Sequence, residues 1–259
     1  MKIDCHVHAK ERSRCATDYE EDMVRAAKGY GLDAIVFTDH DKYIPRERVI
    51  ELNKKFSPFR VFQGIEVNSG EKEEFVVIGF YEPKLENPGW KYFELHALVR
   101  KRGGFIALAH PYRYRKELGV DLKAYPPDAI EVSFSVSNQD RIKELLKLTG
   151  GHPITNSDGH TVKNVGMYYN YLHRVPKDEA ELADILKKGE FNCCGMPERL
   201  KEINKELERF EQMIKKMIAE GHDRNYYHQT TGYMPTLFDR IERGDSCLKP
   251  VFQEAREKK

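Results

Sequence analysis

Side chains that can bind metal ions recur in this chain where one apolar segment after another ends. The first motif is Asp4-Cys5-His6-Val7-His8, in which a strand would point His6 and His8 to the same face, where one ion can bind both rings. Four more motifs follow short, β-branched runs, and they are Thr38-Asp39-His40-Asp41, Gly64-Ile65-Glu66-Val67-Asn68, Ala109-His110-Pro111 and Asn156-Ser157-Asp158-Gly159-His160. This recurrence favours a fold in which the carboxyl ends of several strands meet.

Predicted strands and helices alternate over residues 1–197. Apolar runs such as Ala34–Phe37 are separated by segments in which apolar side chains recur at helical spacing, such as 19–30 and 47–56. The alternation favours parallel strands joined by right-handed crossovers, and the run 75–81 is either a further strand or an excursion from the sheet. Ligand-type residues at nearly every strand end suit a closed barrel better than an open sheet. We therefore expect an α/β barrel of about seven strands.

The pattern of the sequence changes after residue 197. The apolar residues then recur at helical spacing between mixed charges, and they are Leu200, Ile203, Leu207, Phe210, Ile214, Met217 and Ile218. The predicted domains are a metal-binding barrel over 1–197 and a helical C-terminal extension over 198–259. We expect the stripe over 200–218 to pack on the barrel, and a homodimer seam is the alternative. No motif indicates what residues 222–259 do.

The charge of the chain is balanced, with 43 Lys and Arg residues against 42 Asp and Glu residues. This balance gives no support to a nucleic-acid partner, which stays open, or to a membrane partner. No apolar run approaches membrane-spanning length, and the N-terminus lacks the features of a signal peptide. The five cysteines have no regular spacing and are expected to be reduced thiols. We therefore expect a cytoplasmic protein.

The order of the motifs resembles that of the polymerase and histidinol phosphatase superfamily, known as PHP. The matching elements are His-x-His, Thr-Asp-His, a Glu that ends a strand, Ala-His-Pro and Asp-x-His, and the resemblance runs from residue 1 to about residue 197. It implies a distorted (β/α)7 barrel that binds two or three divalent metal ions, commonly zinc, manganese or iron, for phosphoester hydrolysis. Imidazole and carboxylate ligands suit these metals on chemical grounds as well.

The resemblance also implies which residues bind the metals. The predicted ligands are His6, His8, His40, Glu66, His110, Glu131, Asp158 and His160. The imidazoles of the first motif, with Glu66 and Asp158, would bind one ion. Glu66 would bridge to a second ion, which His110 also binds and for which Glu131 is a candidate ligand of lower standing.

The third ion implied by the resemblance would be bound by His40 and His160. Family members often carry Ser-Asp-Gly in the loop after His-x-His, and an acid or a His there completes this site. In this chain the loop over 9–18 lacks that pattern, and Cys15 or Asp18 is the alternative ligand.

The predicted reaction is hydrolysis of a phosphate ester by metal-activated water, with no protein nucleophile and no organic cofactor. Asp158 or His160 is expected to carry the proton to the leaving group, and Arg113 is the first choice for a cation that binds the phosphate. The expected substrate is a small phosphomonoester or a nucleotide. A histidinol-phosphate phosphatase, an oligonucleotide exonuclease and an enzyme that cleaves carbon–nitrogen bonds are alternatives. A non-catalytic metal-binding scaffold is the alternative of another class.

Overall fold

The computed structural model describes residues 1–255. Its strands are β1 (Lys2–Val7), β2 (Ala34–Phe37), β3 (Arg60–Asn68), β4 (Glu74–Ile78), β5 (Phe105–Leu108), β6 (Ala129–Glu131), β7 (His152–Ile154), β8 (Tyr168–Leu172) and β9 (Phe191–Gly195). Its helices are α1 (Glu20–Gly29), α2 (Arg46–Phe56), α3 (Tyr92–Arg102), α4 (Gln139–Thr149), α5 (Glu179–Lys187), α6 (Pro197–Ala219), α7 (Arg224–Thr231) and α8 (Thr236–Glu242). The last three helices form the C-terminal extension.

The strands form one sheet in the order β7-β6-β5-β4-β3-β2-β1-β8-β9. The neighbours β1, β2 and β3 are parallel, and so are β5, β6 and β7. Strand β4 runs antiparallel to both β3 and β5, β8 runs antiparallel to β1, and β9 runs antiparallel to β8. The two parallel groups therefore point their carboxyl ends to the same side of the sheet.

The segment that follows β7 nearly closes the sheet into a barrel. Gly159 forms a parallel bridge with Val7 of β1. The backbone N–H of His8 donates to the carbonyl of Gly159 at 2.9 Å, and the N–H of Gly159 donates to the carbonyl of His6 at 3.1 Å. The expected fold class is confirmed as a mixed α/β fold with a barrel-like sheet, and the closure brings the Asp-x-His motif beside the His-x-His motif.

The expected parallel arrangement does not extend to β4, β8 and β9, and the reason is clearest at β4. The connection over 69–73 is a tight turn, in which the N–H of Ser69 donates to the carbonyl of Glu73 at 2.9 Å. Lys72 completes the reversal with a left-handed backbone, at a φ of 66°. Parallel neighbours need a crossover of about a dozen residues or more, so this short turn makes β4 antiparallel to β3. The apolar run over 75–81 therefore supplies a further strand of the barrel.

Two apolar layers determine where polar groups collect. Inside the sheet, residues such as Ile3 and Cys5 pack with residues of the other strands and with α5. Outside the sheet, residues such as Val7 pack against α1 and α2. A shift of register between Asp4 and Val7 interrupts the alternation of β1. The histidines at the end of β1 therefore lie next to the inner apolar layer. The inner core therefore leads directly to the polar carboxyl ends of the strands.

The C-terminal extension packs on the barrel through α6, which has 23 residues. At its start, Leu200 packs with Tyr168 of β8. Farther along, Ile214 packs with Tyr227 of α7 and Phe238 of α8. The chain itself therefore covers much of the apolar stripe over 200–218. Among residues 1–255, no helix combines the length and the apolar character that crossing a membrane requires.

Candidate metal centre

Glu66 lies at the centre of a cluster of side chains at the carboxyl ends of the parallel strands, and it is fully buried. Its Oε1 atom lies 3.2 Å from His6 Nε2 and 3.0 Å from His110 Nε2. Its Oε2 atom lies 2.7 Å from His40 Nδ1 and 3.5 Å from His8 Nε2. One carboxylate thus faces four imidazoles, so it is placed to bind more than one ion.

Asp158 and His160 close the side of the cluster next to β1. Asp158 Oδ1 lies 3.2 Å from His8 Nε2 and 3.5 Å from His6 Nε2. The ring of His160 stacks on that of His8, with 4.1 Å between the ring centroids. The closure of the barrel at Gly159 therefore brings both residues of the Asp-x-His motif to the cluster.

Cys15 is the residue of the loop over 9–18 whose side chain contacts the ring of His160. Its Sγ atom lies 3.1 Å from His160 Nε2. Asp18 instead accepts a hydrogen bond from the backbone N–H of Val162 at 2.9 Å. Burial would raise the pKa of the Cys15 thiol, but its contacts with His160 and His40 lower that pKa to about 6. A thiolate is a soft ligand that zinc and iron accept.

Glu74, the first residue of β4, also joins the cluster, although no motif in the sequence marks it. Its buried carboxylate lies 3.2 Å from His110 Nε2 through Oε2 and 4.0 Å from His40 Nδ1 through Oε1. Burial, followed by the charge of Glu66, raises the pKa of Glu74, so a nearby cation would stabilise its ionised form. A carboxylate that begins an apolar strand was the one available sequence signal, and exposed strand ends give the same signal.

Glu131 lies behind His6 and does not face the centre of the cluster. Its Oε1 atom lies 2.8 Å from His6 Nδ1 and accepts a hydrogen bond from Asn156 Nδ2 at 2.8 Å. Its Oε2 atom accepts a hydrogen bond from the backbone N–H of His110 at 2.9 Å. The contact with Nδ1 leaves His6 Nε2 as the nitrogen that faces Glu66. This geometry suits a residue that orients a ligand, which differs from the predicted ligand role.

A similar set of contacts orients His8. Its Nδ1 atom lies 3.2 Å from Ser13 Oγ, which donates to Asp39 Oδ1 at 2.7 Å. Asp39 Oδ2 also accepts a hydrogen bond from Arg12 Nε at 2.7 Å. Arg12 therefore neutralises a buried carboxylate beneath the cluster, and Asp39 acts on His8 through Ser13.

Two residues of the cluster have a left-handed backbone, with φ values of 25° for His110 and 50° for Asp158. Such conformations cost about 1–3 kcal/mol each for non-glycine residues, so the surrounding contacts must hold them. For Asp158 the buried carboxylate of Asp4 does so. It accepts hydrogen bonds from the backbone N–H groups of Ser157 at 3.1 Å and Gly166 at 2.9 Å, and from the Ser157 hydroxyl.

Several buried atoms that face the centre of the cluster lie near one another but make no well-aligned hydrogen bond with residues 1–255. They are His6 Nε2, His8 Nε2, His40 Nδ1, Glu66 Oε2, Glu74 Oε2 and Asp158 Oδ1. Buried polar atoms without partners cost free energy, so their convergence calls for groups that bind several of them at once. Imidazole nitrogens and carboxylate oxygens together are typical ligands of zinc, manganese and iron. The residues present therefore fit divalent cations.

The ligand atoms form four overlapping groups of three, within each of which all atoms lie within 4.8 Å of one another. The groups are His6, His8 and Asp158; His6, Glu66 and His110; His40, Glu66 and Glu74; and His8, His40 and His160. Each group shares a member with another group. The cluster therefore has ligands for more than one ion.

Two carboxylates of the cluster, those of Glu66 and Asp158, are held in the ionised form that binds cations. Burial would raise the pKa of Glu66, but the imidazoles of His6 and His40 hold it well below its usual range. Burial would also raise the pKa of Asp158, but the guanidinium of Arg113 holds it well below its usual range. Arg113 forms an ion pair with Asp158, so the predicted phosphate-binding cation lies directly beside the cluster.

A pocket of about 540 Å³ opens above the cluster. Cys15, His40 and His160 lie on its cluster side, and Arg113 lines it as well. The remaining wall comes largely from the C-terminal extension, with Leu207, Phe210, Tyr227, Tyr233, Met234, Thr236, Leu237 and Arg240. The extension, whose role no motif indicated, therefore helps to form this pocket.

A family model described as the PHP domain matches residues 4–229 of the chain. The match includes the barrel and continues through α6 into α7, beyond the boundary predicted at residue 197. No curated protein sequence matches the chain significantly.

Several solved structures are similar to this chain in fold. PsfC from Pseudomonas syringae PB-5123 is 19% identical with a TM-score of 0.60, and the match covers 76% of this chain and 92% of that chain. A two-domain protein from Bacteroides vulgatus that contains a predicted PHP-like metal-dependent phosphoesterase is 16% identical with a TM-score of 0.56. The match covers 78% of this chain and 68% of that chain. A lesion-specific endonuclease from Pyrococcus furiosus is 20% identical with a TM-score of 0.54. The match covers 74% of this chain and 57% of that chain. At these identities the likeness concerns the fold.

Proposed function

The chain belongs to the PHP domain family, and from that premise we propose that it is a metal-dependent hydrolase that cleaves a small phosphate ester. One observation carries the proposal. Buried imidazole and carboxylate atoms that make no well-aligned hydrogen bond with residues 1–255 come together at the carboxyl ends of the strands, directly beneath a pocket that Arg113 lines.

We assign the ligands of the divalent ions, which are zinc, manganese or iron, to three sets. The sets are His6, His8, Glu66 and Asp158; Glu66, Glu74 and His110; and Cys15, His40 and His160. When bound, the ions supply positive charge that stabilises phosphate oxygens and lower the pKa of water toward neutrality. Glu131 is assigned to the orientation of His6, because its carboxylate contacts the ring nitrogen on the far side from Glu66.

Arg113 and Asp158 are proposed to act as a pair on the substrate phosphate. Asp158 turns one oxygen to the imidazoles of the cluster and the other to Arg113. The guanidinium of Arg113 also lies 4.7 Å from the ring centroid of Phe134, which fixes its position at the pocket wall. A guanidinium fixed in this way can donate charge-assisted hydrogen bonds to phosphate oxygens.

His160 is proposed to donate the proton to the leaving group when only the first two ligand sets hold ions. Burial would lower the pKa of His160, but the charge of Asp158 raises it above its usual value. Its Nδ1 atom lies 2.9 Å from the backbone carbonyl of Asp158, which leaves Nε2 toward Cys15 and the pocket. Asp158 is the weaker candidate, because its low pKa keeps it ionised.

The size of the pocket favours a small substrate over a polymer. A volume of about 540 Å³ lies in the range of small-molecule sites. An oligonucleotide would need a basic track along its backbone, and the near-zero net charge of the chain, +1, gives no sign of one. Phosphomonoesters such as mononucleotides and histidinol phosphate are therefore the substrates to test first.

The proposal is tested by a substrate panel with manganese, zinc and iron supplied in turn. The panel contains histidinol phosphate, mononucleotides, nucleoside bisphosphates, short oligonucleotides and simple amides. We expect metal-dependent release of inorganic phosphate from a small ester and no cleavage of amides. Cleavage of amides without cleavage of esters would assign the site to carbon–nitrogen bonds. Bound metal with no turnover of any panel member would favour the non-catalytic scaffold.

A further inference from the structure

We propose that Arg240 of the C-terminal extension binds a second acidic group of the substrate, a phosphate or a carboxylate, in the pocket above the metal centre. The inference rests on the proposed function and narrows its substrate class to esters that carry two oxyanions on an apolar or aromatic body. Arg240 would then determine specificity, while the metal centre and Arg113 bind the phosphate that is cleaved.

Arg240 is a buried cation without a carboxylate partner. Its side chain lines the pocket from α8, and the residue is only 8% exposed. Its Nη2 atom donates to the carbonyl of Ser246 at 2.8 Å, while its Nε atom is buried with no partner among residues 1–255. No carboxylate in that part of the chain lies within ion-pair distance of it. A buried charge without a counter-ion is costly, so an anion that enters the pocket would be stabilised there.

Within residues 222–255 of the extension, the two other arginines both have a carboxylate partner. Arg224 pairs with Asp239 at 3.2 Å. Arg243 pairs with Asp245. Each of these arginines has a carboxylate near it in sequence or in space, whereas the guanidinium that lines the pocket has none within ion-pair distance in the described residues.

The position of Arg240 relative to Arg113 suits a substrate with two anions. The guanidinium groups of Arg240 and Arg113 lie 4.3 Å and 4.7 Å from the ring centroid of Phe134. Arg113 is already engaged by Asp158, while Arg240 is not. Burial, followed by the charge of Arg113, lowers the pKa of Arg240 to about 10, so Arg240 stays cationic at neutral pH. The pocket therefore offers one cation beside the metal centre and a second on the wall that the extension forms.

The rest of the pocket wall suits an apolar or aromatic body between the two anions. Phe210 and Tyr233 meet edge to face with 5.3 Å between their ring centroids, and both line the pocket. Tyr233 and Met234 are 55% and 70% exposed, which is unusual for large apolar side chains that serve packing alone. A flat or apolar substituent would cover these surfaces while its acidic group reaches Arg240.

The test compares three esters with the same aromatic body: phenyl phosphate, 4-carboxyphenyl phosphate and 1,4-phenylene bisphosphate. We expect the wild-type protein to prefer one or both of the esters with two anions by at least about tenfold in kcat/KM, as for one charge-assisted hydrogen bond. Arg240→Gln should remove that preference by raising the KM of the esters with two anions. Its kcat/KM for phenyl phosphate should stay within about threefold of the wild-type value. Arg240→Lys should restore part of it. The two esters with a second anion distinguish a carboxylate from a phosphate as the group that is bound.

Arg224→Gln is the matched control, because it removes an arginine of the same extension outside the pocket, and it should leave all three esters unchanged. If Arg240→Gln lowers kcat/KM equally for the three esters, or lowers it for none of them, the inference is overturned. If Arg240→Gln does not fold, the wild-type preference and the Arg240→Lys variant decide the question in the same way.

Equilibrium binding separates this inference from the proposed function. Calorimetry with phenylphosphonate and 1,4-phenylene bisphosphonate, which are not hydrolysed, should show tighter binding of the second compound to the wild-type protein and loss of that difference in Arg240→Gln. This result without turnover of any ester would overturn the proposed function and keep the inference. Turnover of esters with no such difference in binding would keep the proposed function and overturn the inference about Arg240.

Discussion

Replacing Glu66 by Gln is expected to abolish hydrolysis and to release bound metal. Glutamine keeps the shape of the side chain, but its amide is neutral and would turn an NH₂ group toward imidazole nitrogens that now face a carboxylate. Metal ions contribute several kcal/mol to the stabilisation of transition-state charge, so we expect kcat/KM to fall by about a thousandfold or more. Steady-state kinetics and elemental analysis of the purified variant measure both effects.

Glu73→Gln is the matched control for this variant. Glu73 is also buried and lies on the same hairpin, but it accepts a hydrogen bond from the N–H of Gly119 at 3.0 Å and lies 3.6 Å from Arg115, outside the cluster. We expect this change to leave metal content intact and activity within about threefold of wild type. Full activity and full metal content in Glu66→Gln would contradict the bridging role.

Replacing Asp158 by Asn is expected to lower kcat/KM by about a hundredfold or more, since the change removes a ligand charge and leaves the partly buried Arg113 without its partner. Asparagine tolerates the left-handed backbone of position 158, where φ is 50°, so the fold should be kept. Kinetics and metal analysis should show the loss, while thermal unfolding should change little. An Asn variant as active as wild type would remove Asp158 from the site.

Asp158→Ala separates the charge from the backbone. Alanine lacks the same tolerance of positive φ, so this variant should lose activity as the Asn variant does and also lose about 1 kcal/mol of stability. Equal melting temperatures of the two variants would show that the backbone strain inferred at this position is absent.

The sequence predicted the core of the cluster because each ligand follows its own apolar strand. In parallel strands the carboxyl ends meet on one side, so His6, His40 and Glu66 could be placed together without any knowledge of the loops. The structure brings these residues together, and the closure at Gly159 adds Asp158 and His160 from the far end of the barrel.

Side-chain direction limited what the sequence could predict. Glu131 and Glu74 both lie on short strands, and alternation alone did not indicate which carboxylate faces the centre of the cluster. The turn at 69–73 places Glu74 in the cluster, because it returns the chain antiparallel to β3, beside Glu66. Glu131 instead lies 2.8 Å from His6 Nδ1, on the side of the ring away from Glu66.

Long-range packing explains why the pocket was not predicted. Arg240 lies far along the chain from the metal motifs, and it reaches the pocket because α6 and α8 fold back over the carboxyl ends of the strands. In the sequence it is one of many arginines in a charged segment. Its burial without a carboxylate partner, which distinguishes it, is a property of the folded extension.

Anomalous X-ray diffraction from crystals of the protein loaded with manganese or zinc would locate the ions that Glu66 is proposed to bridge. We expect at least two anomalous peaks on either side of the Glu66 carboxylate, about 3.5–4 Å apart, as in two-metal sites. One peak should lie at bonding distance from His6 Nε2 and the other at bonding distance from His110 Nε2. Crystals that contain the metal but show no peak within bonding distance of Glu66 would rule out Glu66 as a ligand that bridges two ions.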